Sequence, residues 1–200
     1  MIEAEGIPAE YISAIGSVST KTKEHVNLLK PTLIVLGKSN HQGKRLGELT
    51  EYLLYQNNDN VLIVGTDNTF NENTFISVEC NPNALSNYSS NLLFWLNVNT
   101  KTPLRFYVNE PKQCESGFYF PENWRGIKNS KHKICYKSNQ YFSVSNGLNQ
   151  HLSEENIGLV CIGRKRVKSS FLSRIFSLPS TTSEIIKNTK IPIMLMGKTV

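Results

Sequence analysis

The chain has 200 residues and a net charge of +6, with 39% hydrophobic and 19% charged residues. That balance can fill one or two cores and excludes a disordered polyelectrolyte. Its longest apolar runs, residues 33–36 and 191–196, are strand-sized, well short of the roughly 20 residues that cross a bilayer as a helix, so no membrane insertion is expected.

Residues 1–5 lack the basic and apolar regions of an export signal, which points to a cytoplasmic location. Residues 11–18 read as a strand. Residues 20–30 read as a helix with Val26 and Leu29 on one side. Leu33-Ile34-Val35-Leu36-Gly37 is a continuous apolar run ending in Gly, the pattern of a strand buried on both faces. A polar, basic segment follows, then a helical stretch around Glu51-Tyr52-Leu53-Leu54 and a second apolar run, Val61-Leu62-Ile63-Val64-Gly65.

Residues 74–78 predict the next strand. Asn81-Pro82 suits a helix start, since Asn caps and Pro fits the first helical position. Leu85, Tyr88, Leu92 and Leu96 then recur at helical spacing. Residues 104–108 form another strand pattern. Residues 111–133 are polar, aromatic and broken by Gly and Pro, and predict mostly loop. Residues 134–144 read as a strand or strand pair, and 147–156 as a short helix. Leu159-Val160-Cys161-Ile162-Gly163 repeats the motif of an apolar run closed by Gly. A basic stretch, a helical segment at Glu184-Ile185-Ile186-Lys187 and a last run, Ile193-Met194-Leu195-Met196-Gly197, complete the order.

Strand, loop, helix and strand thus occur twice in register, an internal repeat. The expected division is 1–66, the C-terminal half of a first unit, and 74–200, a second unit with both halves. The expected fold is α/β, a doubly wound parallel sheet with helices on both faces.

This order resembles the universal stress protein family. The resemblance rests on Leu159 to Gly163, Phe171-Leu172-Ser173-Arg174, Thr181 to Ile186 and Ile191 to Met196. It rests also on Leu33 to Gly37, Gly43-Lys44-Arg45-Leu46-Gly47-Glu48 and Val61 to Val64. It implies a five-stranded parallel sheet of the adenine nucleotide alpha-hydrolase type, in a small cytoplasmic protein that is often dimeric or tandem. The family order sets the first two strands between the third and fourth. The first unit, beginning near its third strand, departs from that pattern.

Many family members bind ATP through Gly-x2-Gly-x9-Gly-Ser/Thr, where Gly admits a phosphate close to the backbone and a helix start supplies N–H groups. The positions that would carry an anion or nucleotide site are Gly163, Arg164, Arg166, Ser180 and Thr181. Arg166 and Ser180 replace two of the glycines, and Pro179 with the longer connection alters the loop. Thr181-x-x-Glu184 fits a helix capping box. In the first unit Glu48 places a negative charge where a phosphate would sit. No family-type ATP binding is expected, and weak, salt-sensitive anion binding at most. Gly37-Lys38-Ser39 lacks the upstream Gly of a P-loop, because Thr32 stands there.

Other chemistry finds no support. The cysteines, at 80, 114, 135 and 161, contain no Cys-x-x-Cys pair and are expected as free thiols. The four histidines lack metal-ligand spacing. No nucleophile elbow or nucleic-acid motif is present. The leading expectation is a non-enzymatic stress-response or regulatory protein that acts through association. The alternatives are a nucleotide-binding sensor with slow ATP hydrolysis and a cytoplasmic regulatory domain of a membrane transporter. Val61, Leu62, Ile63 and Val64, with Ile193, Met194, Leu195 and Met196, form the expected association edges. They would pair with each other or across a homodimer, because an apolar edge needs cover.

Overall fold

Strands that are apolar on both faces must be covered on both, and the chain meets that demand with one mixed sheet. The computed structural model describes residues 6, 8–38, 48–55, 59–65, 74–79, 87–108, 134–138, 156–163, 185–187 and 189–197. In chain order these contain α1 (Val18–Leu29), β1 (Leu33–Gly37), α2 (Glu48–Tyr55), β2 (Asn60–Val64), β3 (Phe75–Glu79), α3 (Asn87–Thr100), β4 (Leu104–Val108), β5 (Ile134–Ser138), β6 (Ile157–Gly163) and β7 (Ile193–Met196).

The strands lie in the order β1-β2-β7-β6-β3-β4-β5. Every neighbouring pair is parallel except β2 and β7, which run antiparallel. The five strands β3 to β7 therefore form a parallel sheet by themselves, with the earliest of them in the middle. That is the doubly wound arrangement expected from the alternation of strand and helix patterns.

Alternation along each strand sorts the core into two layers. Val61 and Ile63, Val160 and Ile162, and Ile193 and Leu195 cluster with Leu53 and Leu54 of α2 and with Ile185 and Ile186. Ile76 and Val78, Leu104 and Phe106, Leu159 and Cys161, and Met194 and Met196 cluster with Leu93 of α3. Cys161 is buried in this second layer and forms no disulfide. No helix among the described residues is long and apolar enough to cross a membrane.

Two local expectations need correction. Residues 11–18 do not form a strand: residues 8–17 have no regular structure, and Val18 already opens α1. Tyr11 is 91% and Ile15 98% exposed. A strand requires a neighbour to bond, and among the described residues no strand lies beyond β1. Gly16, at φ +138, and the extended Ser17 lead directly into the helix instead.

The packed face of α3 also differs from the apolar stripe. Leu93 is fully buried and Leu92 and Leu96 partly so, but Tyr88 is exposed. Ser89, Ser90 and Asn97 are buried in its place. Ser89 and Asn97 can face inward because each has a partner: Ser89 Oγ donates to Asn60 Oδ1 at 3.0 Å and Asn97 Nδ2 to the Thr102 carbonyl at 2.7 Å. Leu85 and the Asn81-Pro82 helix start lie outside the described residues, as do 111–133, 139–144 and 147–155.

Candidate functional site: the seam between β2 and β7

The apolar runs at 61–64 and 193–196 meet at one seam. Val61 stands opposite Leu195, Leu62 opposite Met194, and Ile63 opposite Ile193. Favourable cross-strand pairs contribute about 0.2–1 kcal/mol each relative to an Ala–Ala pair. Val64 pairs with Gly37 on the other side of β2, and Met196 with Gly163 on the other side of β7. With β6 on one flank and β2 on the other, all four residues of β7 are buried.

Two polar devices fasten the seam; from the sequence Asn60 is not singled out, and Lys38 enters only through a P-loop pattern that is rejected. Asn60, fully buried at the start of β2, is the first. Its Oδ1 accepts from the Gly197 backbone N–H at 2.7 Å and from Ser89 Oγ at 3.0 Å, while its Nδ2 donates to the Thr32 carbonyl at 3.4 Å. One side chain thus links the segment entering β1, the start of β2, α3 and the end of β7. In the sequence it closes the turn-like run Asn57-Asn58-Asp59-Asn60, where Asn signals a turn by default.

Lys38 is the second. It follows β1, and its backbone N–H donates to the Val64 carbonyl at 2.6 Å. Its Nζ donates to the carbonyls of Thr189 at 2.6 Å and Lys187 at 3.1 Å, at the end of the helical turn 185–187. A cation there satisfies carbonyls that the ending helix leaves open. Burial lowers the Lys38 pKa from its ordinary 10.5, since desolvation disfavours the charged form. Nearby on α2, burial raises the Tyr52 phenol above 10.0, helped by the Asp59 charge.

Of the five positions considered for an anion or nucleotide, Gly163 closes β6 and is half-buried. Arg164, Arg166, Ser180 and Thr181 lie outside the described residues. After β1, the corresponding position to Arg164 is Lys38, and its ammonium is directed at two carbonyls rather than at an anion. Among the described residues no group of His, Cys, Asp and Glu could hold a metal ion.

No protein-family model matches the chain, and no curated protein matches it. Solved structures do. A universal stress protein from Archaeoglobus fulgidus is similar at a TM-score of 0.70 and 15% identity, covering 99% of this chain and 74% of that one. A protein of unknown function from Pseudomonas aeruginosa is similar at a TM-score of 0.69 and 10% identity, covering 98% of this chain and 74% of that one. A candidate universal stress protein from the same species gives a TM-score of 0.67 at 10% identity, with 98% and 74% covered. About a quarter of each of these chains thus lies outside the match. The sheet order, the two-layered core and these likenesses agree: the chain has the fold of the universal stress proteins.

Proposed function

We propose that the chain is a cytoplasmic stress-response or regulatory protein built from two units of stress-protein type, acting through association and without family-type ATP binding. The observation that carries this reading is the seam: the antiparallel pairing of β2 with β7 joins the N-terminal strands to the five-stranded sheet. The apolar edge that invites pairing is used inside one chain, so intramolecular pairing takes the place of a homodimer at that edge. The position of Lys38 supports the absence of a phosphate loop after β1. Arg166 and Ser180 in place of glycines argue against one after β6.

Native mass spectrometry of the freshly purified full chain tests the reading. The expected spectrum carries no nucleotide mass. Stoichiometric ATP or ADP on the protein would replace this reading with that of a nucleotide sensor.

A further inference from the structure

Of α1, α2 and α3, only the last carries no Asp, Glu, Lys or Arg. Its two sides are also exchanged. A helix that rests one face on a core and wets the other puts apolar residues inward and polar residues outward. Toward the sheet α3 buries Ser89, Ser90 and Asn97 around Leu93. Among the described residues, Ser90 Oγ and Asn97 Oδ1 have no hydrogen-bond partner on that side. Away from the sheet stand Tyr88, Phe94, Trp95 and Val98, exposed by 45%, 37%, 58% and 44%.

Helical spacing joins these four residues. Phe94 and Trp95 each lie within one turn of Val98, and Asn91 bridges Tyr88 to Trp95. The exposed apolar groups are therefore one stripe along the helix and not scattered singles. A helix that spends its polar groups inward and its aromatic groups outward is built to be covered on both sides.

Charge decides what covers it. The chain carries a net charge of +6, so two copies repel wherever charged surfaces meet, and least along a face with no charge. An interface on a two-fold axis must also complement itself, because each residue meets its own kind or a mate on the same patch. Any charge there would face a like charge. Aromatic side chains and uncharged Asn meet that condition, since aromatic rings pair with one another edge to face or offset. A lipid surface suits the face less well: helices that lie on lipid flank the apolar stripe with Lys and Arg, and α3 has neither.

We infer that the outer face of α3 is a self-association surface, on which a second copy of this chain docks its own α3 about a two-fold axis near Trp95. The inference rests on the reading above that the chain acts through association, but not on the seam or on the absence of nucleotide. The 14 residues of α3 span about 21 Å. One face of that length falls well short of the roughly 800 Å² per partner of a stable complex. The pair is accordingly transient and concentration-dependent.

The test is analytical ultracentrifugation of the full chain between about 10 μM and about 1 mM. The mass is expected to climb from monomer toward dimer over this range. Trp95→Glu and Val98→Glu, both at exposed positions, should weaken association by about 100-fold or more, since a two-fold interface carries each change twice. Leu28→Glu, on the exposed side of α1, makes the same change in net charge and should leave association unaltered. Amide protection in β6 and β7 controls for folding in all three. In an equal mixture of isotope-labelled and unlabelled chains, Overhauser contacts between copies are expected at Tyr88, Trp95 and Val98.

Monomer mass throughout would overturn the α3 face while leaving the nucleotide-free spectrum predicted above untouched, so the two failures are separable. A dimer that persists in both α3 variants, or contacts between copies confined to other residues, would place association on another surface and overturn the inference equally. Binding of a monomeric chain to vesicles of phosphatidylcholine and phosphatidylserine, lost in Trp95→Glu, would assign the face to lipid and overturn it as well.

Discussion

At the residue scale the structure turns on two polar side chains among apolar strands. Asn60→Ala would leave the buried Gly197 N–H and the Ser89 hydroxyl without their shared acceptor. The expected loss is about 1–3 kcal/mol for the Gly197 N–H left without its acceptor, whereas the Ser89 hydroxyl keeps the Gly197 carbonyl at 3.5 Å; it is read as a lower denaturant midpoint at unchanged slope. Lys38 and Tyr52 predict opposite dependences on pH. A base whose folded pKa is lowered holds fewer protons folded than unfolded between the two values, so its contribution improves as pH rises through the folded pKa towards 10.5. A phenol whose folded pKa is raised contributes stability below 10.0 and loses it as pH rises through the folded value. Lys38→Met should therefore flatten the rise in unfolding midpoint on the alkaline side, and Tyr52→Phe the fall that follows. Neither device was legible in the sequence. Asn60 reads as the end of a turn and Lys38 as part of a basic loop, because their partners, at Gly197, Ser89, Thr189 and Lys187, are remote along the chain.

At the element scale, runs such as Leu33–Gly37 and Ile193–Met196 were legible because strands buried on both faces leave no polar alternation to confuse them. The failures have one physical source: both elements depend on neighbours. Residues 11–18 carry apolar residues at strand spacing but have no strand to bond, and so remain irregular before α1. In α3 the centre of the packed face is written by Ser89, Leu93 and Asn97, with Leu92 and Leu96 of the apolar stripe packed at its side and Tyr88 exposed. Leu93→Ala should cost about 2–5 kcal/mol, as removal of a fully buried leucine does. Val35→Lys, on the half-exposed terminal strand, should change the unfolding free energy of the chain by no more than about 0.5 kcal/mol. Urea unfolding of the two variants side by side measures the contrast. A large cost at Val35 would mean that this side chain is packed in solution.

At the scale of the whole molecule, the N-terminal strand pair and the C-terminal five strands share one sheet, and the antiparallel step between β2 and β7 is what unites them. The likeness to universal stress proteins fixes the fold at 10–15% identity, while the chemistry of any phosphate site rests on positions such as Arg166 and Ser180 that depart from the family motif. The seam is the most exposed claim of this architecture. Opposed residues of an antiparallel pair bring their Cα atoms to about 4.5 Å at alternate positions, close enough for strong contacts between Cα protons. Nuclear Overhauser spectra of the full chain should show such cross-peaks between Leu62 and Met194, or at the flanking pairs Val61–Leu195 and Ile63–Ile193. Their absence at all three pairs, with β2 amides exchanging freely while β6 and β7 stay protected, would show that the two strands do not meet and would contradict the single sheet.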